Sequence, residues 1–257
     1  HFAPLLYELP NENIILAADA SPFPICFGAQ TLAEMARTKR KSIFYINTLG
    51  LQDKGKTVYA FPGRAYAYNA DGARVLMSPA YTEGITVIDT EAMPAPLVPT
   101  EEPPIAPKYR MLHYAVQKFL ERIHMERVVI GISGGIDSAV AAALYVDAIG
   151  ADKVLLVNMP SQFNSATTKG LAAQLAENLG CRHMIVPIEE SVAHTVQQLT
   201  DVPIMGAAAR EGEHLTISSF VRENMQARDR SGRVLSAVAA AWGAGFTCNA
   251  NKAESTV

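Results

Sequence analysis

The chain has 257 residues, enough for one large domain or two modest ones. Its hydrophobic content of 49% and charged content of 18% are typical of a globular protein. The net charge of −3 provides no attraction to nucleic acid, and no apolar run approaches the ~18 residues that span a bilayer. Three scattered cysteines, Cys26, Cys181 and Cys248, indicate neither a disulfide framework nor a metal site. We therefore expect a soluble cytoplasmic protein without nucleic-acid or membrane partners.

The N-terminal part of the chain is predicted to consist mainly of strands. Apolar runs over 13–18 and 42–47 predict two strands, with one helix over 30–39 between them. Further strands are predicted at 58–59, 65–68 and 75–77, and Asn69-Ala-Asp-Gly72 has the composition of a hairpin turn.

A proline-rich stretch follows, with six prolines between Met93 and Pro107. Proline cannot continue a helix or a central strand, so this stretch is expected to be a stiff, extended linker. It predicts a first domain over 1–92, a linker over 93–107 and a second domain over 108–257. The start at His1 and the end at Asn-Lys-Ala-Glu-Ser-Thr-Val suggest a fragment that lacks the C-terminus of the second domain.

The C-terminal part alternates between helical and extended patterns. The predicted strands are 128–132, 154–158 and 184–188, and the predicted helices are 111–123, 138–149, 171–179 and 218–230. Residues 201–216 have no clear period and are interpreted as a mobile surface loop. Repeated βα units predict an α/β, Rossmann-like doubly wound parallel sheet that binds ligands at the carboxyl ends of its strands.

The most informative segment follows the strand 128–132. Glycines at 131, 134 and 135 let backbone N–H groups approach a ligand closely, and the next helix directs its unpaired donors and dipole at the same place. The hydroxyls of Ser133 and Ser138 add donors. Asp137 is negative, so its sensible role is to share a Mg²⁺ with a bound phosphate. The alternative is a tight strand-to-helix turn that is merely rich in glycine.

The order Ser-Gly-Gly-x-Asp-Ser at 133–138 resembles the pyrophosphate loop of the ATP pyrophosphatases. Among these enzymes, the later stretches resemble the NAD synthetases in order and near-family spacing. Those stretches are Asn158-Met-Pro-Ser161, Leu175-Ala-Glu-Asn-Leu-Gly180, Glu223-Asn-Met-Gln-Ala-Arg-Asp-Arg230 and Asn251-Lys-Ala-Glu254.

The N-terminal part also resembles a known domain. Ser21-Pro-Phe23, Ile46-Asn-Thr-Leu-Gly-Leu-Gln-Asp53 and Asp71-Gly72 are similar to the late portion of a nitrilase-type amidase, which is an α/β sandwich. An amidase fused ahead of a synthetase is the architecture of the glutamine-dependent NAD synthetases. The resemblance implies ATP-dependent amidation of deamido-NAD through an adenylated carboxylate, with ammonia taken from glutamine. It also implies self-association.

The resemblance implies site residues in the synthetase part. ATP would bind to Gly131, Ile132, Ser133, Gly134, Gly135, Ile136, Asp137, Ser138 and Asn249. Deamido-NAD would contact Asn224, Arg228 and Glu254, while Asp137 and Glu254 would ligate Mg²⁺. The alternative for Arg228 and Arg230 is a solvated helix face, and for Asn224 and Glu254 it is ordinary surface exposure.

The sequence departs from the family in two places. The family commonly has a Thr before Asn-Lys-Ser-Glu, whereas this chain has Thr247-Cys-Asn-Ala250 and is one residue longer back to the Arg-containing helix. Cys248 or Asn249 therefore fills that position. In the amidase part, the family's catalytic Glu, Lys and Cys all precede Ser-Pro-Phe. Cys26 follows it, so no amidase catalytic residue is assigned.

Two other functions remain open at this point. One is another amidotransferase with a pyrophosphate loop, such as GMP synthetase, although its glutaminase would be of a different type. The other is a non-catalytic module that binds an adenine nucleotide, which would have no need for both Asp137 and Glu254.

Overall fold

The computed structural model describes residues 5–8, 13–24, 28–53, 55, 57–161 and 166–249. Contacts between residues divide the chain into two compact units, residues 1–119 and 120–257. The division falls within the helix α2 (Ala106–Arg122). The domain boundaries predicted from the prolines stay a prediction. Within the described part of the chain, no helix combines the length and the hydropathy needed to cross a bilayer.

The first unit consists mainly of strands, as its alternating apolar pattern predicted. Its elements ahead of α2 are β1 (Leu5–Glu8), β2 (Ile14–Asp19), α1 (Ala29–Lys39), β3 (Ser42–Asn47), β4 (Leu49–Asp53), β5 (Val58–Pro62), β6 (Ala65–Tyr68) and β7 (Arg74–Met77). Five strands form one sheet in the order β1-β2-β3-β6-β7, in which only β2 and β3 are parallel neighbours. Strands β4 and β5 form a separate antiparallel hairpin.

The core of the first unit lies between this sheet and α1. Side chains in β2 and β3 alternate between buried and more exposed positions, because successive residues of a strand point to opposite faces. Ile15 and Ile43 on the buried face pack with Leu32 and Ala36 of α1. The single helix predicted here is therefore the element that covers this face of the sheet.

The second unit is built from βα units. After α2 its elements are β8 (Val128–Ile132), α3 (Ile136–Ile149), β9 (Val154–Asn158), α4 (Ala166–Leu179), β10 (Arg182–Ile185), α5 (Glu189–Asp201), α6 (Ser219–Arg228), α7 (Ser236–Trp242) and β11 (Gly245–Phe246). Four strands form a wholly parallel sheet in the order β10-β9-β8-β11. The predicted α/β, Rossmann-like parallel sheet is confirmed.

The two central strands of this sheet, β8 and β9, are almost entirely buried, as is usual for parallel strands covered by helices. Val129 and Val157 pack with Val234 and Leu235 from the region between α6 and α7. Their strand neighbours point to the other face, where α3 and α4 contact β9. Helices on both faces leave the carboxyl ends of the strands as the accessible edge for a ligand.

Several elements differ from their predictions. Helix α3 begins at Ile136 rather than 138, and β10 covers 182–185 rather than 184–188. Pro187 has no N–H to continue the ladder, although Val186 N still donates to Asn158 O at 2.8 Å. Helix α5 was not predicted, although its Val192 is buried and its first turn carries two glutamates that favour a helix start.

The helix predicted over 218–230 continues much further. Ser218 caps α6 by accepting a hydrogen bond from Val221 N, and a π-helical segment, Asp229–Leu235, joins α6 directly to α7. Residues 202–217 contain no helix, and Ile204 N donates to Glu213 O at 2.8 Å. The mobility predicted for this loop stays a prediction.

Candidate nucleotide-binding site

The glycine loop after β8 has a backbone that depends on glycine at two positions. A methyl group on Gly131 would lie 3.1 Å from Met159 Cε and 3.3 Å from Leu235 Cδ1, so any side chain there would have to displace these two neighbours slightly. Gly134 has φ +85°, a conformation that L-residues rarely adopt. Close packing therefore favours glycine at the start of the loop, and the positive φ favours it at the turn in the middle.

Two serines fix the shape of this loop. The buried Ser138 hydroxyl donates to Gly135 O at 3.0 Å, and Ser133 N donates back to Ser138 Oγ at 3.4 Å. Gly135 N donates to Ser133 Oγ at 3.2 Å. The hydroxyls thus stabilise a closed turn between β8 and α3 before any ligand binds.

The N-terminus of α3 is well suited to an anion. Its N-cap is Gly135, which has an extended backbone and no side chain to satisfy the first-turn N–H groups. The helix dipole adds positive potential at this end. Asp137 lies exposed in the first turn, where its carboxylate is free to meet a cation. A phosphate in the loop and a divalent ion beside it would satisfy both features.

A cavity of about 460 Å³ opens at the carboxyl ends of the strands. Its walls come from the glycine loop, the end of β9, the π-helical segment and the residues after β11. The lining residues are Gly131, Ile132, Ser133, Asn158, Met159, Ala227, Arg230, Ser231, Leu235, Phe246, Thr247, Cys248 and Asn249. The structure thus brings the first residues of the predicted ATP loop together with Asn249. Gly134 to Ser138 follow directly in the chain, at the start of α3.

Besides Ser231, three polar residues of this cavity were not predicted as site residues. Asn158 ends β9, next to the strand that carries the loop, and its side chain is buried. Arg230 is half-buried, and its Nε donates to Met159 O at 3.4 Å, so the interpretation as a solvated surface charge does not hold for it. Burial lowers the pKa of Arg230 from its ordinary value, although a guanidinium stays charged in proteins.

The third such residue is Thr247. Its hydroxyl is buried and finds no hydrogen-bond partner within the described ranges, although Thr247 N donates to Val129 O at 3.1 Å. Buried hydroxyls are rarely left without a partner, so this one is available to a ligand in the cavity. The rule that parallel sheets bind ligands at carboxyl strand ends points to Asn158 and Thr247, whereas no sequence signal separates Arg230 from the surface arginines.

The predicted substrate pair Asn224 and Arg228 lies on one face of α6. Arg228 Nη1 is 3.3 Å from Asn224 Oδ1 and 3.2 Å from Asn224 O. Asn224 Nδ2 in turn donates to Phe220 O at 3.0 Å. Arg228 is exposed, so its remaining donors face solvent and are accessible to an anionic substrate.

The second predicted metal ligand, Glu254, lies outside the described residues. Within the ranges that the structure describes, no group of three or more His, Cys, Asp or Glu side chains is arranged to hold a metal ion. Asp137 is thus the one predicted ligand with a described position. Magnesium often takes one or two carboxylates and completes its shell with phosphate oxygens and water, so an exposed carboxylate beside a phosphate loop fits it.

In the first unit, the Ser-Pro-Phe stretch serves the fold. Ser21 is fully buried, its N–H donates to Asn47 Oδ1 at 3.0 Å, and Asn47 Nδ2 donates back to Ser21 O at 3.0 Å. Ser21 Oγ donates to Asp19 Oδ1 at 2.9 Å, and Tyr45 Oη donates to Asp19 Oδ2 at 2.7 Å. These hydrogen bonds join the carboxyl ends of β2 and β3. Cys26 lies outside the described residues.

Solved structures show the same fold. A glutamine-dependent NAD⁺ synthetase from Acinetobacter baumannii, in complex with ADP, superposes with a TM-score of 0.79 at 26% identity. That alignment covers 98% of this chain and 51% of the other chain. A glutamine-dependent NAD(+) synthetase from Cytophaga hutchinsonii has a TM-score of 0.69 at 14% identity, over 98% of this chain and 50% of that one. At this lower identity the likeness shows the fold alone.

Sequence comparisons give the family. The chain is 34% identical to the glutamine-dependent NAD(+) synthetase of Rhodobacter capsulatus, over 84% of this chain and 37% of that protein. It is 31% identical to the enzyme of the same name from Acinetobacter baylyi, over 96% of this chain and 44% of that protein. The chain thus spans less than half the length of these relatives. The sequence model of the NAD synthase family matches residues 108–257, more than half of the chain, which therefore belongs to the NAD synthase family.

Proposed function

We propose that the protein containing this chain amidates deamido-NAD to NAD with ATP, releasing AMP and pyrophosphate. The observation that carries this proposal is the glycine loop at the N-terminus of α3, which opens beside a cavity of about 460 Å³ with Arg230 in its wall. The ADP in the Acinetobacter baumannii structure supports an adenine nucleotide as the ligand.

The chemistry requires activation because ammonia cannot displace oxide from a carboxylate. A carboxylate oxygen of deamido-NAD attacks the α-phosphorus of ATP, and the bond from that phosphorus to the β-bridging oxygen breaks. Pyrophosphate leaves, and its negative charge is stabilised by the first-turn N–H groups of α3, which have no side-chain cap. Ammonia then attacks the acyl carbon, the acyl carbon–oxygen bond breaks, and AMP leaves with that oxygen while the amide nitrogen loses its extra protons to solvent.

Other residues have roles that follow from their positions. Asp137, with Glu254, would hold a Mg²⁺ that neutralises the phosphate charge. Asn158, Arg230, Thr247 and Asn249 would contact the nucleotide from the cavity walls. The exposed guanidinium of Arg228, oriented by Asn224, would bind a phosphate or the carboxylate of deamido-NAD, which Glu254 would also contact.

The first unit would belong to the amidase domain that frees ammonia from glutamine in the whole protein. Support comes from the match to glutamine-dependent synthetases, which extends over 96% of this chain and so includes the first unit. We further propose that the protein self-associates and acts in the cytoplasm, as the resemblance to the family implies.

The test is a product assay on the full-length protein with ATP, Mg²⁺ and ammonium, with and without deamido-NAD. Pyrophosphate that appears only with deamido-NAD, in amounts equal to the NAD formed, is the expected result. Release of ADP and phosphate, or pyrophosphate formation that does not depend on deamido-NAD, would refute the proposal. Bound ATP that never reacts would instead indicate a non-catalytic nucleotide module.

A further inference from the structure

The long helix that borders the nucleotide cavity contains a local irregularity. Between α6 and α7, residues 229–235 form a π-helical segment, and Ser236 N donates to Ser231 O, five residues back. Such wide turns are rare because their hydrogen bonds and packing are less favourable than those of an α-helix, and they are common at functional sites.

A cluster of three polar side chains spans the wide turn. Arg233 Nε lies 2.7 Å from Asp229 Oδ1, and Arg233 Nη2 lies 2.7 Å from Asp229 Oδ2, which is a two-pronged ion pair. Ser191 lies in the first turn of α5. Its Oγ accepts a hydrogen bond from Arg233 Nη2 at 2.8 Å and donates one to Asp229 Oδ2 at 3.0 Å. The cluster therefore joins both ends of the π turn to each other and to a second helix.

This pairing is more than an incidental surface contact. The Asp229 side chain is only 13% exposed, and that of Arg233 is 48% exposed. Hydrogen bonding from Arg233, helped by Ser191, holds the pKa of Asp229 below its ordinary value despite the opposing effect of burial. The carboxylate is thus held ionised in a defined position.

Two of the three residues between Asp229 and Arg233 face the cavity instead. Arg230 and Ser231 line it together with Leu235, and Arg230 Nε reaches the carbonyl oxygen of Met159 at the end of β9. Neither Asp229 nor Arg233 lines the cavity. The π turn therefore contributes two residues to the cluster on one side and forms part of the cavity wall on the other.

We propose that Ser191, Asp229 and Arg233 are positioning residues for nucleotide binding. They hold the π turn in the shape that presents Arg230 and Ser231 to the cavity, without contacting the nucleotide themselves. This inference rests on the proposed function in so far as ATP is the ligand of the cavity. It goes beyond that function because it makes the affinity for ATP depend on residues that do not contact the nucleotide.

The test is equilibrium binding of Mg·ATP to the full-length protein, with thermal unfolding measured on the same samples. Asp229→Asn keeps the size of the side chain and removes its charge, and we expect the Kd for ATP to rise about five- to ten-fold, since small displacements of a binding group are costly. Asp229→Glu retains the carboxylate and is expected to recover most of the affinity. Ser191→Ala, a milder change that keeps the ion pair, is expected to give a smaller rise in the same direction.

The matched control is Thr195→Ala, one turn further along α5. The Thr195 hydroxyl donates to Ser191 O rather than to the cluster, so its loss is expected to leave the Kd unchanged. If Asp229→Asn and Ser191→Ala lower only the unfolding temperature and leave the Kd at the wild-type value, the cluster is merely structural and the inference is wrong. A wild-type protein that binds no ATP also overturns it. A wild-type protein that binds ATP but releases no pyrophosphate with deamido-NAD refutes the proposed function alone.

Discussion

The Ser138 hydroxyl donates a hydrogen bond of 3.0 Å to the carbonyl oxygen of Gly135, across the first turn of α3. The Ser138 hydroxyl oxygen also accepts from Ser133 N at 3.4 Å, so one buried hydroxyl links the strand side of the loop to its helix side. The shape of the loop is therefore fixed by its own side chains, which would reduce the ordering that a bound phosphate has to impose.

Removing this hydroxyl is expected to weaken the loop. Ser138→Ala leaves the Ser133 N–H and the Gly135 carbonyl without this partner, and we expect the free energy of unfolding to fall by about 1–2 kcal/mol. ATP affinity is expected to fall with it. Urea unfolding measures the first effect, with Ser236→Ala as the control, because the Ser236 hydroxyl donates to the carbonyl oxygens of Gly232 and Arg233, about one turn back along the same continuous helix. Equal stability of Ser138→Ala and the wild type would contradict this role.

The turn of the loop is expected to tolerate a side chain better at position 135 than at position 134. Gly134→Ala forces an L-residue to φ +85°, at a cost of about 1–2 kcal/mol, and shifts the loop amides away from a bound phosphate. Gly135→Ala keeps an ordinary φ of −90°, and its methyl group lies 3.3 Å from Ser133 Oγ, so only that side chain has to shift slightly. Titration of both variants with ATP is expected to show the larger loss of affinity for Gly134→Ala, and the reverse order would show that the loop backbone does not bind ATP.

Arg228 is expected to bind deamido-NAD rather than ATP. Arg228→Lys keeps the charge and loses the planar donors that bind a phosphate or carboxylate at two points, so the KM for deamido-NAD is expected to rise about ten-fold. The KM for ATP is expected to change less than about two-fold. Arg122→Lys, an exposed arginine in α2, is the control. An equal rise in both KM values would place Arg228 in the ATP site instead.

The pattern of apolar residues was sufficient to predict the parallel sheet of the second unit. The continuous apolar runs of β8 and β9 were found at their observed bounds, since a buried parallel strand leaves such a run in the sequence. The glycine loop was found for a related reason. Gly131 lies in a tightly packed strand and Gly134 has a positive φ, and both features favour glycine over other residues.

Other parts of the site depend on contacts between distant residues and left no local signal. The π segment at 229–235 has no sequence pattern of its own, so the helix was predicted to end at 230 and Arg230 could not be placed in the cavity. Its position follows from the contact of Asp229 and Arg233 with Ser191, which lies in a helix that was not predicted. Asn158 and Thr247 meet in the cavity only because β11 joins the sheet next to β8.

The lowered pKa of Asp229 predicts how its contribution to stability depends on pH. A carboxyl whose folded-state pKa lies below its unfolded value of about 3.9 stabilises the fold at higher pH, and this contribution is lost as pH falls through the folded pKa. The wild type is therefore expected to have a larger unfolding free energy than Asp229→Asn at about pH 6. This difference is expected to shrink towards about pH 2. The control is Glu223→Gln in α6, which removes an exposed carboxyl that is not part of the Ser191–Asp229–Arg233 cluster. A gap that stays constant across this range would contradict the ion pair.

If the carboxylate of deamido-NAD is adenylated at the glycine loop, one of its oxygens is transferred to AMP, and this transfer can be followed with an isotope. Deamido-NAD labelled with ¹⁸O in its carboxylate is incubated with ATP, Mg²⁺, ammonium and the full-length protein, and the products are analysed by mass spectrometry. One ¹⁸O in the phosphate of AMP, with unlabelled pyrophosphate, is the predicted result. Label in inorganic phosphate, or unlabelled AMP formed alongside NAD, would contradict it.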